Sequence, residues 1–172
     1  MDFLTLIEER HSVRVYQRRE VEDEKLRNLL HAANRAPSAG DLQAYQIVAV
    51  RSPAVRQALA RAALDQDFVA QAPVVLVFLA DPGRSGAKYG HRGETLYSLQ
   101  DATIACAYAQ LAARDLGLGS CWVGAFRKDA VREAIGSPPE QVPVALLPLG
   151  YPAEEPRITS RRLLTSSPSA SR

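Results

Sequence analysis

Two periods of apolar spacing alternate along this chain, and each predicts an element. MDFLTLIEERH at the start reads as a short amphipathic helix, too acidic for a signal peptide. Residues 22–35 (EDEKLRNLLHAANR) set Leu26, Leu29, Leu30 and Ala33 at helical spacing, with acids in the first turn and Pro37 just beyond the end. APSAGDLQAY (36–45) is a turn cluster that feeds a strand at 46–50. Residues 53–64 open with Pro53 and predict a surface helix; APVVLVFLAD (72–81) is a continuous apolar run, as in a strand buried on both faces. The segment 82–94, PGRSGAKYGHRGE, carries four glycines and reads as a loop, mobile or close to an active site.

Residues 95–116 predict the longest helix. Its centre is apolar nearly all round: Ala102, Ile104, Ala105, Cys106, Ala107, Tyr108, Ala109, Leu111 and Ala112. A helix without a polar face needs cover on every side, and one small protomer is hard pressed to supply it. A homodimer built on this helix follows. Gly117 and Gly119 end it; SCWVGAF predicts a strand and turn, 127–136 a helix, and 143–151 the last core strand. The architecture is one α+β domain over 1–165, a mixed, mostly antiparallel sheet covered by helices. A Ser-rich tail at 166–172 has too little apolar surface to order itself.

Composition changes little: 172 residues, 47% hydrophobic and 23% charged, are ordinary for a globular domain. No apolar run reaches the roughly 18–20 residues of a membrane span. Two cysteines without a CxxC spacing predict free thiols and a cytoplasmic setting. Charge changes more. Residues 10–19 hold Arg10, Arg14, Arg18 and Arg19 without an acid, and residues 156–172 hold Arg157, Arg161, Arg162 and Arg172, again without one. With a net charge of only +2, the chain is no general nucleic-acid binder. Basic ends on an acidic body suit one small anion. In RHSVRVY an extended backbone puts Arg10, Ser12, Arg14 and Tyr16 on one face, and His11, Val13 and Val15 on the other. Two guanidiniums flanking a hydroxyl, with no carboxylate among them, form an anion-binding set.

Histidines 11, 31 and 91 are scattered, without metal-ligand spacing. There is no GxSxG, no phosphate-binding GxxxxGK[ST] and no dinucleotide fingerprint, since GLGSCW follows a helix and ends on Trp122. An enzyme with this inventory would need a cofactor to carry the reaction.

RHSVRVY, APSAGDLQ, FVAQAPVVLVF, DATIACAYAQLAARDLGLGSCWVGAF and PVALLPLGYP, in that order over about residues 2–162, resemble the nitroreductase family of FMN-dependent oxidoreductases. The resemblance implies an α+β homodimer with two FMN sites at the subunit interface and NAD(P)H as electron donor. It implies that Arg10, Ser12 and Arg14, with His11 between them, hold the FMN phosphate and pyrimidine edge, joined by Arg161 or Arg162. Pro37, Ser38, Ala39 and Gln43 match a family turn that reaches FMN from the partner subunit. Asp41 departs from the family's Asn and reads instead as a helix cap. SCWVGAF matches the segment passing the flavin's redox edge, where Gly124 or Ala125 offers a backbone N–H to N5. Trp122 stacks near the ring or packs in the core. Leu149 and Gly150 approach the phosphate-bearing chain, and Gln66 the pyrimidine edge. Cys121 reads as a core thiol.

The activity so implied is hydride transfer from NAD(P)H through flavin N5 to an electron-poor acceptor, a nitroaromatic or quinone, in two half-reactions at one site. Dehalogenation or dehydrogenation on the same fold, and a non-catalytic flavin store or sensor, are the alternatives. Arg14, with Arg10, would stabilise the reduced ring.

Overall fold

The computed structural model describes residues 2–155 and 159–162. Helix α1 (Phe3–Glu9) starts at Asp2, whose carboxylate accepts the Leu4 and Thr5 amides at 3.1 Å. Helix α2 (Asp23–Asn34) buries Leu29 and Ala33 and carries Asp23 and Glu24 in its first turn. A single 3-10 turn (Ala39–Asp41) leads into strand β1 (Tyr45–Val50). Helices α3 (Pro53–Ala62) and α4 (Phe68–Gln71) precede β2 (Val74–Ala80). Helix α5 (Pro82–Arg92) runs through a π-type turn (Gly93–Tyr97) into α6 (Ser98–Asp115). The short β3 (Gly119–Ser120), α7 (Lys128–Ile135) and β4 (Val142–Gly150) complete the described elements.

The sheet has the order β1-β2-β4-β3 and every strand pair is antiparallel; the parallel element is an isolated bridge, Ser12 to Ser120. β2 is buried along its whole length, as its unbroken apolar run predicts. One face, through Val74, Leu76, Phe78 and Leu147, packs on Leu29 and Ala33 of α2 and on Ala105, Cys106 and Ala109 of α6. The other, through Val75, Val77, Leu79 and Leu146, packs on Leu59 of α3, Val69 of α4 and Val131 of α7. The α+β reading holds, as three layers.

The glycine-rich segment 82–94 corrects the loop reading, because it is helical. Two of its glycines serve packing. A Cβ on Gly86 would meet Glu94 at 2.5 Å, and one on Gly93 would meet the Ser85 carbonyl oxygen at 2.5 Å. Only Gly90 breaks the helix, at φ 55° and ψ −147°, a conformation side chains other than glycine's strongly resist. Within the protomer, helix α6 is covered on part of its surface only. Ala102, Ala105, Cys106, Ala109 and Ala113 are buried, whereas Ala107 is exposed and Tyr108 remains 41% exposed. An apolar face of the longest helix thus stands open, beside Phe3, Leu4 and Ile7 of α1 among the exposed large hydrophobics. The predicted disordered tail lies outside the described residues.

Candidate functional site

The Arg10–Tyr16 segment is a strap beside the β3 edge of the sheet, bridged from Ser12 to Ser120 and from Tyr16 to Pro152. It is fixed by Val13, 1% exposed, whose N–H donates to the Ser120 carbonyl at 3.0 Å and whose methyls fill the space left by Gly119. A Cβ at Gly119 would sit 2.7 Å from a Val13 methyl. Strict alternation then fails one residue early. Arg14 and Val15 are both exposed and Tyr16 is buried, so Tyr16 does not share the Arg10, Ser12 and Arg14 face. The cause is Glu154. One of its carboxylate oxygens accepts the consecutive amides of Arg14 and Val15, at 2.5 and 3.1 Å, which twists the chain out of strand geometry. The Tyr16 hydroxyl turns inward to donate to the Val13 and Pro148 carbonyls, and burial holds it protonated far above the ordinary phenol range.

What remains outward is the candidate anion-binding set. Ser12 and Arg14 are exposed, Arg10 half-buried, and among the described residues neither arginine forms an ion pair. The Arg14 guanidinium lies 5.8 Å from the Phe68 ring centroid, which places it without neutralising it. His11 uses Nδ1 on the Glu9 carbonyl at 2.9 Å, while its Nε2 is buried without a partner among the described residues. That nitrogen borders a cavity of about 10 Å³ lined with Arg10, Gln110, Arg114 and Ser120, room for about one water. Burial pushes the Cys121 thiol up. Arg14, Ser12 and Arg10 act the other way without winning, so the thiol is inert although its surroundings are not neutral.

The turn 37–44 forms the second grouping. Pro37 is exposed; Ser38, Ala39 and Gln43 are half-buried. Ser38 Oγ accepts the Gln43 amide at 3.0 Å, closing the turn on itself. Gly40, Asp41 and Gln43 all have positive φ, at 58°, 56° and 49°. Asp41 begins no helix; the next element is β1, which corrects its reading as a cap. The residue that holds the turn is Asp101 of α6, 1% exposed, whose two oxygens accept the Ala39 amide at 2.9 Å and the Ala44 amide at 3.2 Å. Sequence reading missed it. Its signal was present: an acid at the start of the Asp101, Ala105, Ala109 stripe on an otherwise apolar helix face.

The third grouping surrounds Gly124. Gln66 Nε2 donates to the Ala63 carbonyl at 2.8 Å and the Ala125 carbonyl at 3.4 Å, joining the loop before α4 to the Gly124–Ala125 turn. Both turn residues are exposed. A Cβ at Gly124 would meet only the Trp122 ring, at 3.7 Å, so nothing within the protomer demands glycine there. Trp122 is half-buried against the core. Leu149 is fully buried, so only its backbone is available, and Gly150 is required by Pro73, which a Cβ would approach to 2.6 Å. Arg161 donates to Thr159 and Ser160, and among the described residues no hydrogen bond links it or Arg162 to Arg10 or Arg14.

The 37–44 turn and the Arg10–Tyr16 strap sit toward opposite ends of α6. Asp101 anchors the turn near its N-terminal end, and Arg114, ion-paired to Glu9 at 2.5 Å, stands beside the strap at its C-terminal end. At about 1.5 Å per residue they are ~20 Å apart along the axis.

The Nitroreductase family model matches residues 7–66 and 61–151 of the chain. A Thermus thermophilus protein named NADH dehydrogenase is 36% identical, over 90% of this chain and 89% of its own. A nitroreductase family protein from Clostridium novyi superposes with a TM-score of 0.82 at 29% identity, covering 90% of this chain and 87% of that one. An FMN-dependent nitroreductase from Clostridium difficile superposes at 0.80 with 28% identity, covering 92% of each. Strap, turn and sheet order thus sit in the fold their sequence resemblance implied, and the chain belongs to the nitroreductase family.

Proposed function

We propose that this chain is an FMN-dependent NAD(P)H oxidoreductase that works as a homodimer, passing hydride to an electron-poor acceptor such as a nitroaromatic or quinone. The observation that carries the reading is the layout of α6. Its exposed apolar midpoint, Ala107 and Tyr108, lies halfway between the Asp101 and Arg114 ends. A second protomer packed antiparallel across that midpoint sets the 37–44 turn of one chain beside the Arg10–Arg14 strap of the other. Two equivalent grooves result, each built from both protomers. Phe3, Leu4 and Ile7 supply further apolar area for the same contact.

The residues fit FMN. Arg10, Ser12 and Arg14 offer donors without an internal anion, as a phosphate and a pyrimidine carbonyl require. Gly124 leaves space above an exposed backbone, as a flat ring requires. Bound FMN supplies hydride acceptance and donation at N5. The chain positions and polarises. Arg14, steadied over Phe68, presents positive charge toward the pyrimidine edge, where the reduced ring is most negative. The Gly124 or Ala125 N–H would be the donor offered to N5, on a turn that Gln66 fixes through the Ala125 carbonyl. Ser38 and Gln43 line the groove from the second protomer. Arg161 or Arg162 completes the phosphate site, and Leu149 and Gly150 contribute backbone only.

Purification tests this directly. The expected material is yellow, has twice the protomer mass by light scattering, and bleaches in the flavin bands on adding NADH or NADPH. Colourless monomer that takes up no FMN overturns the reading. Material that binds FMN but is not reduced by either dinucleotide would instead be a flavin store.

A further inference from the structure

Helix α5 carries a feature that flavin binding does not use. Residues 82–97 contain Arg84, Lys88, His91 and Arg92 against a single acid, Glu94. All four basic residues are exposed. Glu94 lies back against Gly86 and toward His91, at 3.9 Å, and among the described residues Arg84, Lys88 and Arg92 have no carboxylate at ion-pair distance. Two of these cations are held by aromatic rings. Lys88 Nζ is 5.3 Å from the Tyr89 centroid; the Arg92 guanidinium is 5.4 Å from that of Tyr97, and its Nε donates to the Tyr97 hydroxyl at 2.9 Å. The two tyrosines meet edge to face at 5.2 Å. The break at Gly90 turns the chain between Tyr89 and Arg92, so these side chains form a cluster rather than a plain helical stripe.

Position gives the cluster its use. A Cβ on Gly40 would collide with the Tyr89 hydroxyl and come within 2.7 Å of Lys88 Nζ. The cluster therefore rests on the same 37–44 turn that borders the proposed flavin groove. A dinucleotide with its nicotinamide on a flavin in that groove would extend its adenosine end toward the groove's border, and the cluster stands on that border at Gly40. We infer that the Arg84, Lys88 and Arg92 cluster, backed by Tyr89 and Tyr97, binds the 2′-phosphate of NADPH and makes NADPH the preferred electron donor. The inference rests on the oxidoreductase reading above. Adenosine 2′-phosphate matches the cluster because its base and its dianionic monoester stand on adjacent ribose carbons. A ring-supported guanidinium gives the purine a flat partner, and the neighbouring cations meet the phosphate. Both NADH and NADPH carry the pyrophosphate, so only the 2′-group lets such a cluster tell them apart.

Two measurements on the FMN-loaded protein test this. In calorimetric titration, adenosine 2′,5′-bisphosphate binds the wild type about tenfold or more tighter than adenosine 5′-monophosphate, as two or three partly exposed charge contacts allow. The triple variant Arg84→Gln, Lys88→Gln, Arg92→Gln loses that difference. In steady-state turnover the triple variant lowers the ratio of KM for NADH to KM for NADPH by the same factor. Equal binding of the two probes, or a KM ratio that survives the triple variant, overturns the inference while the oxidoreductase reading stands. An equal rise in both KM values assigns the cluster to the pyrophosphate and also overturns it. Protein that retains no FMN overturns the underlying reading itself.

Discussion

Asp101 offers the sharpest test of how the fold holds its site, because it acts through the backbone of the turn and touches no proposed ligand. Its carboxylate is 1% exposed and accepts two amides, at 2.9 and 3.2 Å, from residues on either side of a turn with three left-handed positions. Each hydrogen bond to a charged acceptor contributes about 1.5–3 kcal/mol. Burying the carboxylate offsets part of that. The Asp101→Asn variant keeps shape and one acceptor but points an NH2 group at an amide N–H, so one bond is lost and two donors confront each other. The expected net loss is about 3 kcal/mol, hence a Tm lower by about 6–12 °C in a domain of this size. The more telling readout is FMN affinity. With its anchor gone the turn relaxes from its left-handed geometry, and Ser38 and Gln43 leave the groove. Dissociation constants from flavin fluorescence should rise about tenfold, a cost of about 1.4 kcal/mol. An Asp101→Asn protein that melts within about 2 °C of wild type and binds FMN equally well would refute the reasoning.

Three further outcomes follow from the same structure. Glu22 accepts from the Tyr151 hydroxyl at 2.6 Å and from Arg19, and its carboxyl is held down to about 2 in the fold, against 4.5 ordinarily. Its stabilisation is complete above the unfolded value and is lost as pH falls from 4.5 toward 2; Tyr151→Phe should flatten that part of a Tm-versus-pH curve, and an unaltered curve argues against the link. Gly150→Ala drives a Cβ to 2.6 Å from the Pro73 ring and 3.2 Å from Tyr16, so overpacking of about 1–3 kcal/mol should lower Tm by about 2–12 °C, and an unchanged melt would show that the strap yields freely. Tyr108→Glu places a charge at the centre of the proposed dimer contact; light scattering should show monomer with FMN lost, and a flavin-loaded dimer would move the interface elsewhere.

Sequence pattern reached most of the fold because its elements obey simple periods. β2 is one unbroken apolar run, α2 repeats Leu26, Leu29, Leu30 and Ala33, and each is found where its pattern ends. The misreading at 82–94 had one cause. Four glycines in thirteen residues read as a loop, yet Gly86 and Gly93 are there so that Glu94 and the Ser85 backbone can pack closely, and only Gly90 breaks the helix. A period cannot separate a glycine that bends the chain from one that makes room for a neighbour.

The site was legible as far as it is written in side chains of neighbouring residues. Arg10, Ser12 and Arg14 announce themselves by alternation and by the missing acid. Tyr16 does not, because a carboxylate from residue 154 twists the strap, and that partner is invisible at a separation of 139 residues. Asp101 was hidden likewise, bonding to amides 57 and 62 residues away. Both are carboxylates serving backbone N–H groups, and in both the acid looks like surface charge until the fold closes. Near a phosphate site such acids would repel the ligand if left free. Here Asp101 is committed to two amides of the turn and Glu154 to two amides of the strap, so the strap keeps its positive outward face while a carboxylate holds its backbone. Cations that reach outward and carboxylates already committed to the backbone make up the electrostatic design. It also explains how a chain with a net charge of only +2 keeps a basic outward face on the Arg10–Arg14 strap.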